Sequence, residues 1–593
     1  MTTLCGIVRF DGEPVDSEAP ARMAALGDGV KGRLVGERAA LLLVAGGASA
    51  AEEPGSWLGA DARLDDRSAL AASLGFPEAA ATRAGDAALL AQAASRRPRE
   101  WPRMVRGAFA VARWDGRRRR LSLARDLAGE RSLFWARSGR SVLFASEPIQ
   151  LLASGLLGER LDRVRLLEFL LGAAGDPIRS AFAGISRLPE GHAVEITESG
   201  SELVRHSRWE DLAEAGLEER AAAELARRLS VAVRRRLGDR GRIGVLLSGG
   251  LDSSAVAAAA AREASEARRP VLAFTWTSAA GDAIDETPRS RRLVESLGLD
   301  ERAIPADRRW PLSRFPDPLD PNDPETNAYP DLLWETLEAA RREGVGVFCN
   351  GIGGDPVCGW TMPVLTRLGT GGLRELASGG LRGDARRLLV ELRSGLRRRL
   401  PSWLSPEGRR TARRSGLARR AFGPSALRSP RAFRLHTLAH PRNARTLERF
   451  DRASRRVGLR LEAPWHDVDL AAWALSLGDA ALDRRPPGKS LAREAFTELL
   501  PAPILAGPKL GPPSRLVAEG LLGHESDRVR RMLASPAFAA LDLVDTQAVL
   551  ELHSQSCRRG EPAPGLWELA ALAAWVDGRE MVRPGETLLN KIA

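Results

Sequence analysis

The sequence predicts two domains, a sheet-rich α+β domain over residues 1–205 and an α/β domain with a parallel sheet and helices over residues 206–593. Three observations carry that expectation. A length of 593 residues with 44% hydrophobic content is enough for two or three separate cores. Up to about Arg205, many short apolar runs are broken by Gly, Asp and Arg, the texture of closely spaced strands. After Trp209 the pattern lengthens into helices with a few buried strands, and that alternation argues a parallel sheet.

The elements follow in order. Ala40 to Val44, Ala108 to Trp114, Leu121 to Ala124 and Val142 to Ala145 read as strands of the first domain, with helices at about Asp86 to Ala94 and Arg163 to Leu171. The connection around Ser199 to Trp209 is the expected boundary. Beyond it, Ile243 to Leu247, Val271 to Trp276 and Val345 to Cys349 read as buried strands. Leu373 to Arg445 is arginine-dense and interrupted by Pro and Gly, so it reads as short helices and loops rather than core.

Composition narrows the function classes. There is no apolar stretch of membrane-spanning length and no signal-like opening, so a cytoplasmic protein with no membrane association is expected. Cys5, Cys349, Cys358 and Cys557 form no CxxC pair and suggest neither zinc nor a disulfide framework. The net charge is +12, but the arginines are spread along the chain without a stacking-aromatic motif. No nucleic-acid partner is expected; attraction to an acidic partner or a polyphosphate ligand is the milder reading. Lysine is almost gone: only Lys31, Lys489, Lys509 and Lys591 remain. Where arginine stands nearly everywhere else, the survivors mark places that need a compact ammonium.

Two motifs carry chemistry. After the run Ile243 to Leu247 comes Ser248-Gly249-Gly250-Leu251-Asp252-Ser253-Ser254, then helix-forming residues from Ala255 to Ala261. A strand, a glycine-rich turn and a helix start aim backbone N–H groups at one point, which suits an anion. It is not a Walker A loop, because no lysine follows the last glycine. The second motif is Asn350-Gly351-Ile352-Gly353-Gly354-Asp355, after the strand ending at Cys349. Ligands in open α/β sheets gather beyond the carboxyl ends of strands, so Asp252 and Asp355 can face one another there. Two carboxylates with polyphosphate oxygens are a normal Mg²⁺ ligand set. The plainer alternatives are a ligand-free turn for the first motif and a turn cap before Pro356 for Asp355.

The first loop resembles the pyrophosphate loop of ATP pyrophosphatases, which cleave ATP to AMP and pyrophosphate. The order of the pieces resembles the asparagine synthetase superfamily. Gly107 to Asp115, Ala124-Arg-Asp126 with Gly129, Leu133-Phe134, Phe144-Ala-Ser-Glu147, Gly184-Ile185, Leu188-Pro189 and Gly191-His192 match its glutaminase-type domain. Pro464 with Asp467, Pro487-Gly-Lys489, Arg493, Leu500-Pro501 and Lys509 match its C-terminal signature. The resemblance implies an Ntn-type β-sandwich first domain and an adenine nucleotide α-hydrolase-like ATP-pyrophosphatase second domain.

Departures from the family matter as much. An active glutaminase of this type uses a Cys whose own α-amine is the base, whereas Cys5 follows Met-Thr-Thr-Leu, and loss of the initiator Met exposes Thr2. The family's Asn-Gly oxyanion-type pair, due near Gly59-Ala-Asp61-Ala-Arg63-Leu64, is absent. The first domain is therefore expected to be catalytically inert, with Cys5 a buried core thiol. In the second domain, asparagine synthetases carry Glu where Ile352 and Pro356 stand, and β-lactam synthetases place a Tyr at Ile352; the one tyrosine of this chain is Tyr329. The opening Leu4-x-Gly6-Ile7-Val8-Arg9-Phe10-Asp11-Gly12 is similar to that of lasso-peptide cyclases, which also have an inert first domain.

That resemblance implies a macrolactam synthetase. Ser248, Gly249, Gly250, Ser253 and Ser254 would hold the pyrophosphate end of ATP, with Leu247, Trp276 and Gly351 around the adenosine. Asp252 and Asp355 would hold Mg²⁺, Lys489 would neutralise phosphate, and Lys509 would stabilise the tetrahedral intermediate. The substrate would be a leader-free precursor core peptide, and the partners a leader peptidase and a leader-binding protein. An amide synthetase of asparagine synthetase or β-lactam synthetase type, acting on a small molecule, is the alternative. Pyrophosphate loops also occur in tRNA-modifying enzymes, which would want catalytic cysteines or a basic RNA-binding module.

Overall fold

The computed structural model describes residues 3–16, 18–25, 33–37, 39–45, 48–77, 85–173, 175–212, 220–238, 241–266, 268–279, 285, 287–315, 320–325, 329–358, 400–418, 429–478, 489–507 and 514–580. The first part of the chain supplies strands β1 (Thr3–Arg9), β2 (Arg33–Glu37), β3 (Ala40–Ala45), β4 (Ser49–Glu53), β5 (Ser56–Leu64) and β6 (Gly107–Asp115). Next come β7 (Arg120–Arg125), β8 (Phe134–Ser138), β9 (Ser141–Ala145), β10 (Ser186–Arg187), β11 (His192–Ile196) and β12 (Ser201–Arg205). They form two antiparallel sheets in the orders β10-β8-β9-β1-β3-β2 and β12-β11-β7-β6-β5-β4. The period-2 alternation of each strand decides what the sheets face. Leu4 and Val8 of β1 join Leu42, Ala110, Leu123 and Phe144 between the sheets. Cys5 and Ile7, of opposite parity, pack outward under helices such as Arg163–Leu170. The outer face of the second sheet buries Leu58, Phe109 and Val111 under the Asp86–Arg96 helix.

The second part builds one parallel sheet from β13 (Arg242–Leu246), β14 (Val271–Thr277), β15 (Asp300–Pro305), β16 (Val345–Cys349) and β17 (Arg460–Glu462). The order is β15-β14-β13-β16-β17. The chain runs outward from β13 through β14 to β15, then returns to the other side of β13 as β16. That reversal opens a crevice at the carboxyl ends of β13 and β16, the switch point where open α/β sheets bind ligands. The Ala221–Leu237 and Leu251–Glu266 helices pack on one face with Ile243, Val245, Ala257 and Val347. Leu272, Phe274, Phe348 and Leu461 line the other.

The two parts share a core. One buried cluster runs from Cys5, Leu143, Phe134 and Phe182 to Trp403, Leu543, Leu569 and Trp575. The Phe182 and Trp575 rings lie 6.0 Å apart, and Trp575 comes from the Leu566–Glu580 helix of the second part.

The span from Leu373 to Arg445, expected as short helices and loops rather than core, does hold short helices where it is described, but they contribute to the core. The Pro406–Arg414 and Pro430–Leu438 helices and the start of Pro441–Arg456 lie in it, and Trp403, Leu404, Ala412, Leu438 and Ala444 are buried. Its arginines are not simply a solvated face. Arg434, 4% exposed, donates to the Ala474 and Leu477 carbonyls at 2.6 and 3.0 Å, at the end of the Val468–Ser476 helix. Carbonyls at a helix end have no partner within the helix, so a guanidinium can be buried against them. Residues 359–399, with Arg397-Arg398-Arg399, lie outside the described residues.

Candidate active site

The site grows from the two glycine-rich turns. β13 ends at Leu246, and the Leu251–Glu266 helix begins four residues after Leu247, earlier than the Ala255 start expected from propensity. Gly249 takes φ +61°, a conformation glycine adopts without steric cost. Ser253 ties the turn together: its hydroxyl donates to the Gly250 carbonyl at 3.1 Å, accepts from the Ser248 backbone N–H at 3.2 Å and lies 2.8 Å from the Ser248 hydroxyl. The result is a closed loop at a helix start, with Asp252 in the first turn.

The second turn leaves β16 beside it. Asn350 Oδ1 accepts from the Ile352 N–H at 2.9 Å, and a short helix, Gly354–Cys358, begins one residue before Asp355. The two turns touch. A Cβ on Gly354 would sit 2.3 Å from Asp252 Cγ, and one on Gly351 would sit 2.6 Å from the Ser253 nitrogen. Only a residue without a side chain fits at either point.

Lys489 joins the two carboxylates. Its ammonium lies 2.7 and 2.5 Å from the two Asp252 oxygens and 2.7 Å from Asp355 Oδ1. Burial opposes the ammonium, but Asp252 and then Asp355 outweigh it and raise the Lys489 pKa. Lys489 stands at φ +62° immediately before the Ser490–Ala495 helix, an uncommon backbone for a residue with a side chain. The carboxylates thus lie within reach of a single cation. Among the described residues no group of three or more His, Cys, Asp or Glu side chains can hold a metal. A divalent ion here would take Asp252 and Asp355 and complete its shell with oxygens of a ligand, which is how Mg²⁺ binds phosphates.

The other expected residues divide. Ser248, Gly249, Gly250, Ser253 and Gly351 lie at the two turns. Trp276, at the end of β14, donates through its indole nitrogen to Thr336 Oγ1 at 3.0 Å and packs 6.3 Å from the Tyr329 ring. Tyr329 is thus tied to β14 rather than standing at Ile352. Leu247 and Ser254 are fully buried and present no surface, contrary to a nucleotide-contacting role for their side chains. Lys509 lies outside the described residues. Cys349 and Cys358 are buried, and burial pushes the Cys349 thiol up to about 12 and Cys358 well above its ordinary value. Thiols held that high are poor nucleophiles near neutrality.

Residues that the sequence did not single out, together with Asp467 of the expected signature, support the site from below. Trp465 donates its indole N–H to the Asp252 carbonyl at 3.2 Å. His466, 3% exposed, packs on Gly353, where an added Cβ would meet its Nδ1 at 2.4 Å. Burial holds its imidazole down to about 4, so it is neutral near pH 7. The Glu462 carbonyl at the end of β17 accepts from the Asn350 N–H at 3.1 Å. Asp467 caps the next helix, accepting from the Asp469 and Leu470 N–H groups at 3.1 Å. Only the Pro464 and Asp467 signature pointed at this strip in the sequence.

The asparagine synthase family model matches residues 224–577, more than half of the chain. The chain belongs to the asparagine synthase family. A glutamine amidotransferase domain model matches residues 69–209. Members of the asparagine synthase family are ATP-dependent amide-forming ligases. The chain is 30% identical to the glutamine-hydrolysing asparagine synthetase 3 of Bacillus subtilis over 33% of each chain. It is 29% identical to the amidase chyE of Penicillium rubens over 42% of this chain and 39% of the relative. It therefore spans only about a third to two-fifths of the length of these curated relatives. Among solved structures, a glutamine phosphoribosylpyrophosphate amidotransferase of B. subtilis overlaps at TM-score 0.26 and 12% identity, over 59% of this chain and 91% of that one.

In the amidotransferase-like part, Cys5 lies in mid-strand, paired with Leu43 of β3 and Ala145 of β9. Its thiol is fully buried, and burial pushes it up to about 12. Asp61 and Arg63, where the family's Asn-Gly pair is absent, are buried in ion pairs. No described helix is long and apolar enough to cross a membrane.

Proposed function

We propose that this protein is an AMP-forming amide synthetase that activates a carboxylate with ATP and couples it to an amine. The observation that carries the reading is the Lys489 ammonium between Asp252 and Asp355, at the mouths of two glycine-rich turns on the sheet's switch point. The Ser248–Ser253 turn offers backbone N–H groups to phosphate oxygens, and its two hydroxyls, which close the loop on itself here, can turn toward a bound phosphate. Asp252 and Asp355 are the groups that would hold Mg²⁺, which supplies neutralisation of phosphate charge when bound. With ATP so held, the carboxylate attacks the α-phosphorus, giving an acyl-adenylate and pyrophosphate. The amine then attacks the acyl carbon, and AMP leaves. Lys489 is placed to take up phosphate charge, and Lys509 is assigned to the tetrahedral step.

Within that class, the departures at Ile352 and Pro356 and the opening from Leu4 to Gly12 favour a lasso-peptide macrolactam synthetase. Its substrate is a leader-free core peptide whose internal Asp or Glu side chain is joined to its own N-terminal amine. A leader peptidase and a leader-binding protein are its partners. The first domain supplies no ammonia from glutamine, a reading supported by the buried, mid-strand Cys5. The test incubates enzyme, ATP and Mg²⁺ with a panel of leader-free peptides carrying an internal Asp or Glu, and in parallel with aspartate and ammonia. AMP formation with loss of one water from a peptide supports the macrolactam reading. Asparagine formation instead supports the small-molecule alternative. AMP formation from neither, with folded protein, refutes the synthetase reading. Lys509→Arg is expected to bind ATP yet form no amide, because a planar guanidinium does not replace a compact ammonium. Glutamate release from glutamine, abolished by Cys5→Ala, would overturn the inert first domain.

A further inference from the structure

The first domain carries a buried chain of charges that ends beneath the catalytic turns. Arg63 of β5 pairs with Glu462 and lies 3.2 Å from Glu130 and 2.9 Å from Asp65. Glu130 reaches Arg236 at 3.0 Å, and Arg236 reaches Asp467 at 3.0 Å. Alongside, Asp61 pairs with Arg455 at 2.6 Å and Arg131 at 3.4 Å. Asp61, Arg63, Glu130, Arg236, Glu462 and Asp467 are all at least nine-tenths buried.

Both branches stop one step from the Asn350–Asp355 turn. The first ends on Glu462, whose backbone carbonyl receives the Asn350 N–H and whose residue is paired with Cys349 in the sheet. The second ends on Asp467, next to His466, which packs against Gly353. Asp61 and Arg63 come from the segment where relatives carry the glutaminase oxyanion pair. Charges buried this deeply persist only when paired. Arg63 with Glu462, Glu130 with Arg236 and Asp61 with Arg455 are pairs that cross between the domains, while Asp467 is tied to Glu130 through Arg236. The turn that carries Asp355 is therefore backed on one side by Glu462, paired with Arg63 of the first domain, and on the other by Asp467, whose partner Arg236 is itself held by Glu130 of the first domain.

We propose that Asp61, Arg63 and Glu130 are positioning residues for the synthetase site. The segment that serves glutamine chemistry in relatives acts here as a strut that fixes the Asn350–Asp355 turn, and this is what the first domain contributes. The inference rests on the synthetase reading for its consequence in catalysis, but not for its structural readout.

The experiment uses the full-length protein. Arg63→Met and the milder Arg63→Lys, which keeps the charge but cannot bridge Asp65, Glu130 and Glu462 together, are compared with wild type by hydrogen–deuterium exchange. Backbone exchange over residues 350–355 is expected to rise roughly tenfold under conditions that keep the protein folded, and by clearly more than in the Leu566–Glu580 helix. The KM for ATP in AMP formation should rise by a similar factor, and more than kcat falls. Glu130→Gln should act in the same direction. If Arg63→Met does not fold, Arg63→Lys and Glu130→Gln decide the matter alone. Unchanged exchange at 350–355 in a folded variant overturns the strut, as does an increase spread evenly over the molecule. If wild type forms no AMP with any substrate, the synthetase reading fails while the exchange result still tests the strut.

Discussion

Lys489 is one of four lysines in a chain that uses arginine for its other basic side chains, and its place explains its survival. A single ammonium fits between Asp252 and Asp355 at 2.5–2.7 Å; a planar guanidinium spreads its charge over a fork that two converging carboxylates cannot close around. Lys489→Ala is expected to lower ATP-to-AMP conversion by about 10²–10³-fold, and Lys489→Arg to remain well below wild type. AMP formation is read by chromatography and the fold by circular dichroism; wild-type turnover by the arginine variant would remove the case for a compact cation. Asp252→Ala and Asp355→Ala should each abolish turnover with little change in melting temperature, since both side chains stand half-buried at helix starts rather than in the core. The charge pattern around Lys489 was only half legible. Lysine scarcity and the family signature pointed to the residue, but nothing local in the sequence announced that it would meet Asp252, 237 residues away. The same holds for His466, whose importance lies in packing against Gly353.

At the scale of elements, the strands that deliver the site were readable because each is a short apolar run, and β13 and β16 lead straight into glycine-rich turns. β13, β14 and β16 lie within a residue of their expected bounds. That the two turns would face one another was expected, but not how closely they pack, because that depends on β13 and β16 being neighbours. The close packing yields a sharp prediction. Gly354→Ala would drive a Cβ into the Asp252 carboxyl group and push the two acids apart. A displacement near 1 Å at a reacting site costs about 10²-fold in rate, so turnover should fall by that order while the melting temperature barely moves. Parallel loss of turnover and fold would show that the contact serves stability instead. The Pro441–Arg456 helix shows where pattern reading fails. Arg445, Glu448, Arg452 and Arg455 recur at helical spacing, and such a stripe normally marks a solvated face. Here it is the buried face: Glu448 meets Arg125 at 2.8 Å and pairs with Arg187, and Arg455 meets Asp61. Hydrophobic periodicity cannot find a core made of ion pairs.

At the scale of the molecule, the arginines that give the chain its basic balance include its interdomain cement. The shared apolar cluster and the buried ions make the two parts interdependent. Breaking a buried pair from one side leaves an uncompensated charge, at about 3–5 kcal/mol, whereas Trp575→Ala removes apolar packing at about 3–5 kcal/mol. Either change should lower one common calorimetric transition rather than split it into two; a split would mean that the parts unfold independently. Acid should act on this assembly in a defined window. Burial holds His206, His440 and His466 each at about 4 in the folded protein, against 6.5 as the ordinary value. A group with a depressed folded pKa contributes stability that is complete above its unfolded value and is lost as pH falls through the folded one. The melting temperature should therefore decline from about pH 6.5 toward pH 4, before most carboxylates titrate. Glu130 extends the loss further down: burial works against its carboxylate, but Arg63 and Arg236 outweigh that and hold it at about 2 against 4.5. Its contribution is complete above 4.5 and disappears only toward pH 2. Asp126, raised to about 6 chiefly by burial and then by Glu130, works in the opposite sense and softens the upper part of the curve. A calorimetric pH series separates these contributions. His466→Gln should flatten the fall between pH 6.5 and 4 and leave the lower limb intact, and Glu130→Gln should flatten only the limb below 4.5. If His466→Gln left the upper limb as steep as wild type, His466 would not be the neutral, buried support beneath Gly353 that its geometry describes.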